Sequence, residues 1–329
     1  MTARAKTLPP PAGGDAAGGA RGFGHGKVIL VGEHAVVHGY PALAAGISVG
    51  IAATASPGRG LLSVPAWSLE AVAGDGSPVG RALEALLGRL GAHGLDFAAE
   101  AGIPARAGLG SSAAMAVAVA RAAAAATGRA DGDGADDLIQ AAVAAAEAVF
   151  HGTPSGIDAA AAACGAVGRF RRGEGWSPVP VRRAVTICVG LSGRPRDTGG
   201  QVAAVARLRE RLPAADRILA LIGDLTGAAE EALAHGDVEA LGPIFDAAQG
   251  LLAGLRVSSP ELEALCHGAR AAGALGAKLT GAGGGGAVIA VAPGCEDDVL
   301  ARWRRDGFEG FLAELAAAPE ATRAVEAAS

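Results

Sequence analysis

The sequence predicts an α+β protein built in two halves, and three observations carry that prediction. Strand-like and helix-like runs mix in each half without the strict alternation of a βαβ repeat. A chain of 329 residues allows one large or two ordinary domains. Near its middle lies RRGEGWSPVPVRR (171–183), a charged stretch broken by Gly and Pro that reads as a boundary. The expected division is a tail at 1–22, an N-terminal domain at 23–175 and a C-terminal domain at 176–329.

Residues 1–22 combine basic residues with a Pro-Gly-Ala bias and contain no apolar run of the kind a secretion signal needs. Too few large apolar side chains are present there to offset chain entropy, so the segment reads as a disordered tail. Ordered sequence begins near Gly26 with KVILVG, a β-rich run, followed by GISVGIAATA, a second strand candidate. From Pro78 to His93, Leu83, Leu86, Leu87 and Leu90 fall on one helical face. IPARAGLGSSAAMAVAVARAAAAATG then runs from a glycine loop directly into a long alanine-rich helix. A second helix spans about Asp136 to Phe150, followed by the turn HGTPSGID and another run of small residues. TICVGLS is a strand candidate opening the second half. Three or four helices follow between Gln201 and Gly273, punctuated at Pro213, Gly236, Pro243 and Pro260. KLTGAGGGGAVIAVA is a glycine loop feeding a strand, and a final helix and strand complete the chain. No repeat of solenoid type is present.

Composition narrows the function classes. The net charge is −5, which argues against a broad electrostatic grip on nucleic acid. Half of the residues are hydrophobic but only 3% are aromatic, so Ala, Val, Leu and 52 glycines must build the core. A mean hydropathy of +0.34 raises the question of a membrane span. The uncharged stretch from Gly39 to Gly58 carries Pro41 and several glycines, and the alanine run after Ser112 is broken by Arg121. Both read as buried segments of a protein that does not span a membrane. Cys164, Cys188, Cys266 and Cys295 lie far apart and form no CxxC or Cys/His cluster, as expected for a reducing cytoplasm.

Three glycine-rich segments bear on chemistry. GLGSSAA (108–114) stands before a helix, where backbone N–H groups and the helix N-terminus suit an anion; an ordinary Ser-capped helix is the other reading. GAGGGG (281–286) contains GxGxxG, but a strand rather than a helix follows it, which excludes a dinucleotide fold. Gly26-Lys27-Val28 lacks the spacing and Ser/Thr of a P-loop, and no HRD or DFG segment suggests a protein kinase. Glu147 and Asp158 lie on either side of the Gly-Thr-Pro-Ser-Gly turn, which lets two carboxylates reach one site from different directions; each alone also reads as a solvated surface acid.

Taken together, GKVILVGEHAVVHGYPALAAGI (26–47), PARAGLGSSAAMAVAVA (104–120), EAVFHGTPSGIDAAAA (147–162) and KLTGAGGGGAVIAV (278–291) resemble, in order, the blocks of the GHMP small-molecule kinases. Within that superfamily GEHAVVHG and HGxPSGxD most resemble the mevalonate kinases. The resemblance implies an N-terminal domain like ribosomal protein S5, a ferredoxin-like C-terminal domain and an active site between them. It implies ATP as co-substrate with Mg²⁺, mevalonate as acceptor, and relatives that are often dimers. Carried over by position, the nucleotide phosphates lie along Pro104, Ala107, Gly108, Leu109, Gly110, Ser111, Ser112 and Ala113. Ser112 and Glu147 hold Mg²⁺, Asp158 takes the proton of the acceptor hydroxyl, and Lys27 lies beside it. Glu33, His34, Thr198, Gly281 and Ala282 line the acceptor site together with Lys27 and Asp158.

These roles agree with the chemistry. An alcohol is a poor nucleophile at neutral pH, so a carboxylate must accept its proton and a nearby cation favours its alkoxide. Phosphoryl transfer spreads charge over oxygens that backbone amides and a hard cation stabilise. The sequence departs from the family at Gly24-His25-Gly26, where Ala-Pro-Gly is common, at Met115, where many relatives carry an aromatic hydroxyl, and at Thr153, often Asn. A phosphorylated acceptor such as phosphomevalonate is the alternative, with Arg194 and Arg196 as its candidate ligands. A non-catalytic sensor on the same fold is the reading from another class, and the full set of Lys27, Ser112, Glu147 and Asp158 speaks against it.

Overall fold

A computed structural model of the chain describes residues 19–131, 134–151 and 156–315. The turn positions Gly152, Thr153, Pro154 and Ser155, and residues 1–18 of the expected tail, lie outside the described residues. Strand β1 (Ala20–Val31) pairs along its length with the long strand β2 (Ala42–Pro57). The first strand therefore starts at Ala20, so the last three residues assigned to the tail belong to the sheet. Its glycines read as flexible in sequence, but they serve close packing: a Cβ on Gly22 or Gly24 would run into the backbone of the alanine helix at Ala118 or Ala114.

The far edge of β2 serves three partners in turn. Residues 42–45 pair with β6 (Val167–Arg171), Ile47 with β11 (Glu309–Leu315), and residues 51–57 with β5 (Leu95–Ala101). Beyond β5 the sheet continues through β3 (Leu61–Val64) to β4 (Leu69–Val72). In the other direction β11 pairs with β8 (Val185–Leu191), followed by β10 (Ala287–Val291) and β9 (Gly276–Thr280). The two halves are thus joined by one sheet, with β11, the last strand among the described residues, inserted between them. β7 (Gly175–Pro178) forms a hairpin with β6, so a division at 175/176 cuts a paired strand. The hairpin stays with the first half, because β6 also pairs with β2.

Helices cover the sheet where the periodicity puts them. α1 (Pro78–Leu90) is N-capped by Ser77, and all four leucines of its expected face are buried. α2 (Ser111–Ala126) has eleven buried residues, consistent with a helix apolar on nearly every side, and packs on β1 and β2. α3 (Ala135–His151) and α4 (Ile157–Cys164) follow, and Arg121 of α2 donates to the Phe23 and Ala163 carbonyls, tying β1 to the last turn of α4. The second half carries α5 (Thr198–Arg211), α6 (Ala214–His235), α7 (Leu241–Gly254), α8 (Pro260–Ala271) and α9 (Glu296–Arg305). Trp303 of α9 is fully buried and donates to the Leu265 carbonyl at 2.8 Å, which locks α9 onto α8. All four cysteines are unpaired, and burial pushes the thiols of Cys188 and Cys266 up to about 12, so these two behave as small apolar residues. Among the described residues no helix is long and apolar enough to cross a membrane.

Candidate active site

A cavity of about 290 Å³ opens where β1, the segment after it, α3, α4, the start of α5 and the β9–β10 loop converge. β1 contributes Lys27, whose side chain is 2% exposed and whose Nζ lies 2.9 Å from Asp158 Oδ1. Asp158 sits in the first turn of α4, where the helix dipole favours negative charge, and keeps 27% exposure toward the cavity. Burial pushes the Lys27 ammonium below the usual lysine range, and the Asp158 carboxylate pulls it back. An acid and a base in contact at a cavity wall form an arrangement able to accept a proton and stabilise an alkoxide.

The glycine loop before α2 lies against this pair. The Leu109 carbonyl accepts from the Lys27 backbone N–H at 2.8 Å, which anchors the loop to β1. Gly110 caps the helix with φ of 71°, and a Cβ there would stand 2.7 Å from Lys27 Cγ. Only glycine allows both that backbone turn and that approach. Leu109 and Ala113 are buried, Ser111 and Ser112 are half-buried in the first turn, and Ser111 Oγ accepts from the Arg106 N–H at 3.4 Å. Ser112 is not among the residues lining the cavity, whereas Glu147 of α3 lines it and is 2% exposed. Pro104 and Ala107 line a second, neighbouring cavity of about 750 Å³ that also includes Arg106, Arg194 and Phe308.

The remaining expected residues close the first cavity. His34 has φ of 60°, an uncommon conformation for a residue with a side chain, and its Nε2–H donates to the Ala282 carbonyl at 2.9 Å. That bond joins the segment after β1 to the β9–β10 loop, and burial holds the imidazole below its ordinary value. Glu33 pairs with Lys278 of β9, and both side chains are fully buried. Thr198, the first residue of α5, lines the wall, and Asp197 caps that helix by accepting from the Gly200 N–H at 3.0 Å. Gly281 and Ala282 line the cavity as well.

Three features singled out in the sequence take the following places. Met115 is buried, and lines a small apolar pocket with Leu62, Leu83 and Phe150 instead of the first cavity. His25 donates from Nδ1 to the Ile47 carbonyl at 3.0 Å and packs over Gly165, so it fills the unusual start of β1 and pins the end of α4. Arg194 faces the second cavity and pairs with Glu261 at 3.1 Å, while Arg196 lines the first. Lys278 was missed; the available signal was a lysine inside an otherwise apolar strand run, GAKLT. Ile29, Val36, Val37, Ile157 and Val202 also line the cavity, and their type carries no signal beyond hydrophobicity.

The donor set suits a nucleotide phosphate with a divalent cation. It offers a helix N-terminus preceded by positive-φ glycines, hydroxyls at Ser111 and Ser112, and the carboxylate of Glu147, all hard oxygen or N–H groups.

Comparison with known proteins places this geometry in a family. Residues 77–166 match the model described as GHMP kinases N terminal domain, and residues 229–309 match GHMP kinases C terminal. A mevalonate kinase from Aeropyrum pernix is 41% identical over 288 residues, covering 82% of this chain and 87% of that one. The chain belongs to the GHMP kinase family. A mevalonate kinase from Methanothermobacter thermautotrophicus is 35% identical to this GHMP kinase over 85% of its length and 92% of the relative's. Among solved structures, L. major mevalonate kinase in complex with R-mevalonate superposes with a TM-score of 0.79 at 28% identity, covering 94% and 99% of the two chains. Streptococcus pneumoniae phosphomevalonate kinase, bound to phosphomevalonate and AMPPNP, gives 0.69 at 20% identity over 88% and 97%, a likeness of fold alone. The mixed α+β architecture described above is the two-domain fold of this GHMP kinase family.

Proposed function

We propose that this GHMP kinase transfers the γ-phosphoryl group of ATP to the primary hydroxyl of mevalonate, giving 5-phosphomevalonate and ADP. The observation that carries the reading is the Lys27–Asp158 contact on the cavity wall, in a chain whose similar relatives are named mevalonate kinase. Asp158 accepts the hydroxyl proton as the oxygen attacks, and Lys27 favours both the ionised carboxylate and the developing alkoxide. The backbone of residues 107–113 and the N-terminus of α2 receive the phosphates. Ser112 and Glu147 would hold Mg²⁺, which would neutralise charge on the phosphate oxygens. His34, Thr198, Gly281 and Ala282 shape the acceptor end. Unpaired cysteines support a reducing compartment such as the cytoplasm.

Charge separates this reading from a phosphomevalonate kinase. The cavity wall carries Glu33, Glu147 and Asp158 against Lys27 and Arg196, and Arg194 is engaged with Glu261 elsewhere. Of the two arginines that a phosphorylated acceptor would use, only Arg196 lines this cavity. A coupled ADP-release assay over mevalonate, phosphomevalonate, homoserine and galactose tests the assignment. Mevalonate should give the highest kcat/KM, and a preference for phosphomevalonate would overturn it. Asp158→Asn should lower kcat by about 10²–10⁴-fold with the KM for ATP largely retained. Lys27→Met should also lower kcat, and the double variant should lose far less than the product of the two, because both act on one proton transfer.

A further inference from the structure

Lys278 lies on β9, every residue of which is buried. Its ammonium donates to Glu33 Oε1, to the Leu279 carbonyl at 2.6 Å and to the Ile29 carbonyl at 3.5 Å, and stands 5.9 Å from the centre of the Phe245 ring. Three acceptors around one nitrogen match the three protons of an ammonium, where a neutral amine would offer only two. Two residues on, the Thr280 hydroxyl accepts from the Ile29 N–H at 2.8 Å and donates to the Ile29 carbonyl at 3.0 Å. β9 therefore grips β1 from behind the cavity, two residues from Lys27. Glu33 lines the cavity and Lys278 does not.

We propose that Lys278 is a positioning residue for phosphoryl transfer: its ion pair keeps Glu33 ionised and aimed into the acceptor cavity, where the carboxylate accepts a hydrogen bond from an acceptor hydroxyl. The inference rests on the kinase reading above. A buried carboxylate with no partner would turn neutral, and a protonated Glu33 would offer the acceptor a donor in place of an acceptor. Lys278 of β9 pairs with Glu33 directly, and the titratable groups that line the cavity with it are Lys27 of β1, its neighbour His34, Glu147 of α3, Asp158 of α4 and Arg196 before α5. Lys278 also faces Cys266 of α8, besides the neutral ring of Phe245 on α7. Burial pushes the Glu33 carboxyl upward and Lys278 opposes it. Without the lysine, burial prevails. A carboxyl whose folded-state pKa exceeds its unfolded value adds stability at low pH that is lost as pH rises through the folded value.

The test compares wild type, Lys278→Met and the double variant Glu33→Gln with Lys278→Met, over about pH 6 to 9. In Lys278→Met, kcat/KM for the acceptor should fall about tenfold or more near neutrality and recover as pH rises, with the KM for ATP within about twofold of wild type. Its Tm should decline over the same pH range relative to wild type. The double variant should show neither slope, and its acceptor kcat/KM should stay low at every pH. A Lys278→Met profile parallel to that of wild type, in both activity and Tm, would overturn the proposal and leave Lys278 a packing residue. If Lys278→Met yields no folded protein, the double variant, which strands no charge, decides. Its acceptor kcat/KM is expected to be low with ATP binding retained, and a near-wild-type value refutes the role of the pair. A wild-type enzyme that prefers another acceptor sinks the mevalonate reading alone, because the same proteins are then compared on that acceptor.

Discussion

Glu147 shows how a single side chain can be chemically explicit yet depend on its setting. It is an acid on the helix α3, and in sequence it could equally face solvent; in the structure it is 2% exposed and lines the cavity that holds Lys27 and Asp158. Its proposed role is to hold a divalent cation, a hard ion that carboxylate oxygens suit. Glu147→Gln keeps the shape and removes the charge, so the Mg²⁺ concentration for half-maximal rate should rise several-fold and kcat should fall, while the KM for mevalonate moves less. A metal titration that superimposes on wild type would return Glu147 to the status of a buried helix acid. Lys27 and Asp158 were legible as a pair because the motifs that carry them are specific. Glu33 was legible only in part: its segment pointed to the acceptor site, but its ion pair with Lys278 bridges 245 residues of chain and no local pattern announces it.

At the scale of elements, the helices were the readable part and the glycines the ambiguous part. The four leucines of α1 lie on its buried face because a period of 3.6 residues repeats in the sequence itself. Glycine carries no such periodicity, and the same residue marks a flexible tail, a helix cap or a close contact. Gly22 and Gly24 turned out to be contacts between β1 and α2, which is why the strand begins earlier than composition suggested. Gly110 combines two constraints, a left-handed cap and the approach to Lys27. Gly110→Ala should therefore cost about 1–3 kcal/mol of stability from backbone strain. It should cost activity beyond that, because the new methyl group displaces the Lys27 stem. Thermal unfolding and kcat measured on one preparation check both effects; an active, equally stable Gly110→Ala enzyme would show that the loop is free to move off β1.

At the scale of the whole molecule, β11 joins the halves. It pairs with β8 over residues 309–315 and meets β2 at Ile47, and Phe311, Ala313 and Leu315 are buried. Ending the chain at residue 308 would leave β2 and β8 as open edges above an exposed apolar layer. Such a chain should lose cooperative unfolding or aggregate, as read by calorimetry and size-exclusion chromatography. A shortened protein that still unfolds in one transition near the wild-type Tm would mean the seam contributes little.

The sequence by itself determined the main helices, the strands at KVILVG, GISVGIAATA, TICVGLS and AVIAVA, the blocks proposed to carry the chemistry, and that neither a P-loop nor a dinucleotide fold is present; the short strands β3 to β7 were not legible in it. These follow from local periodicity, from turn residues and from motifs contiguous in the chain. Tertiary structure alone decided that one sheet runs through both halves, that Met115 packs away from the cavity, and that Lys278 stands behind Glu33. Each of these is a pairing between residues far apart in sequence, selected by the burial of surfaces that only the assembled fold brings together.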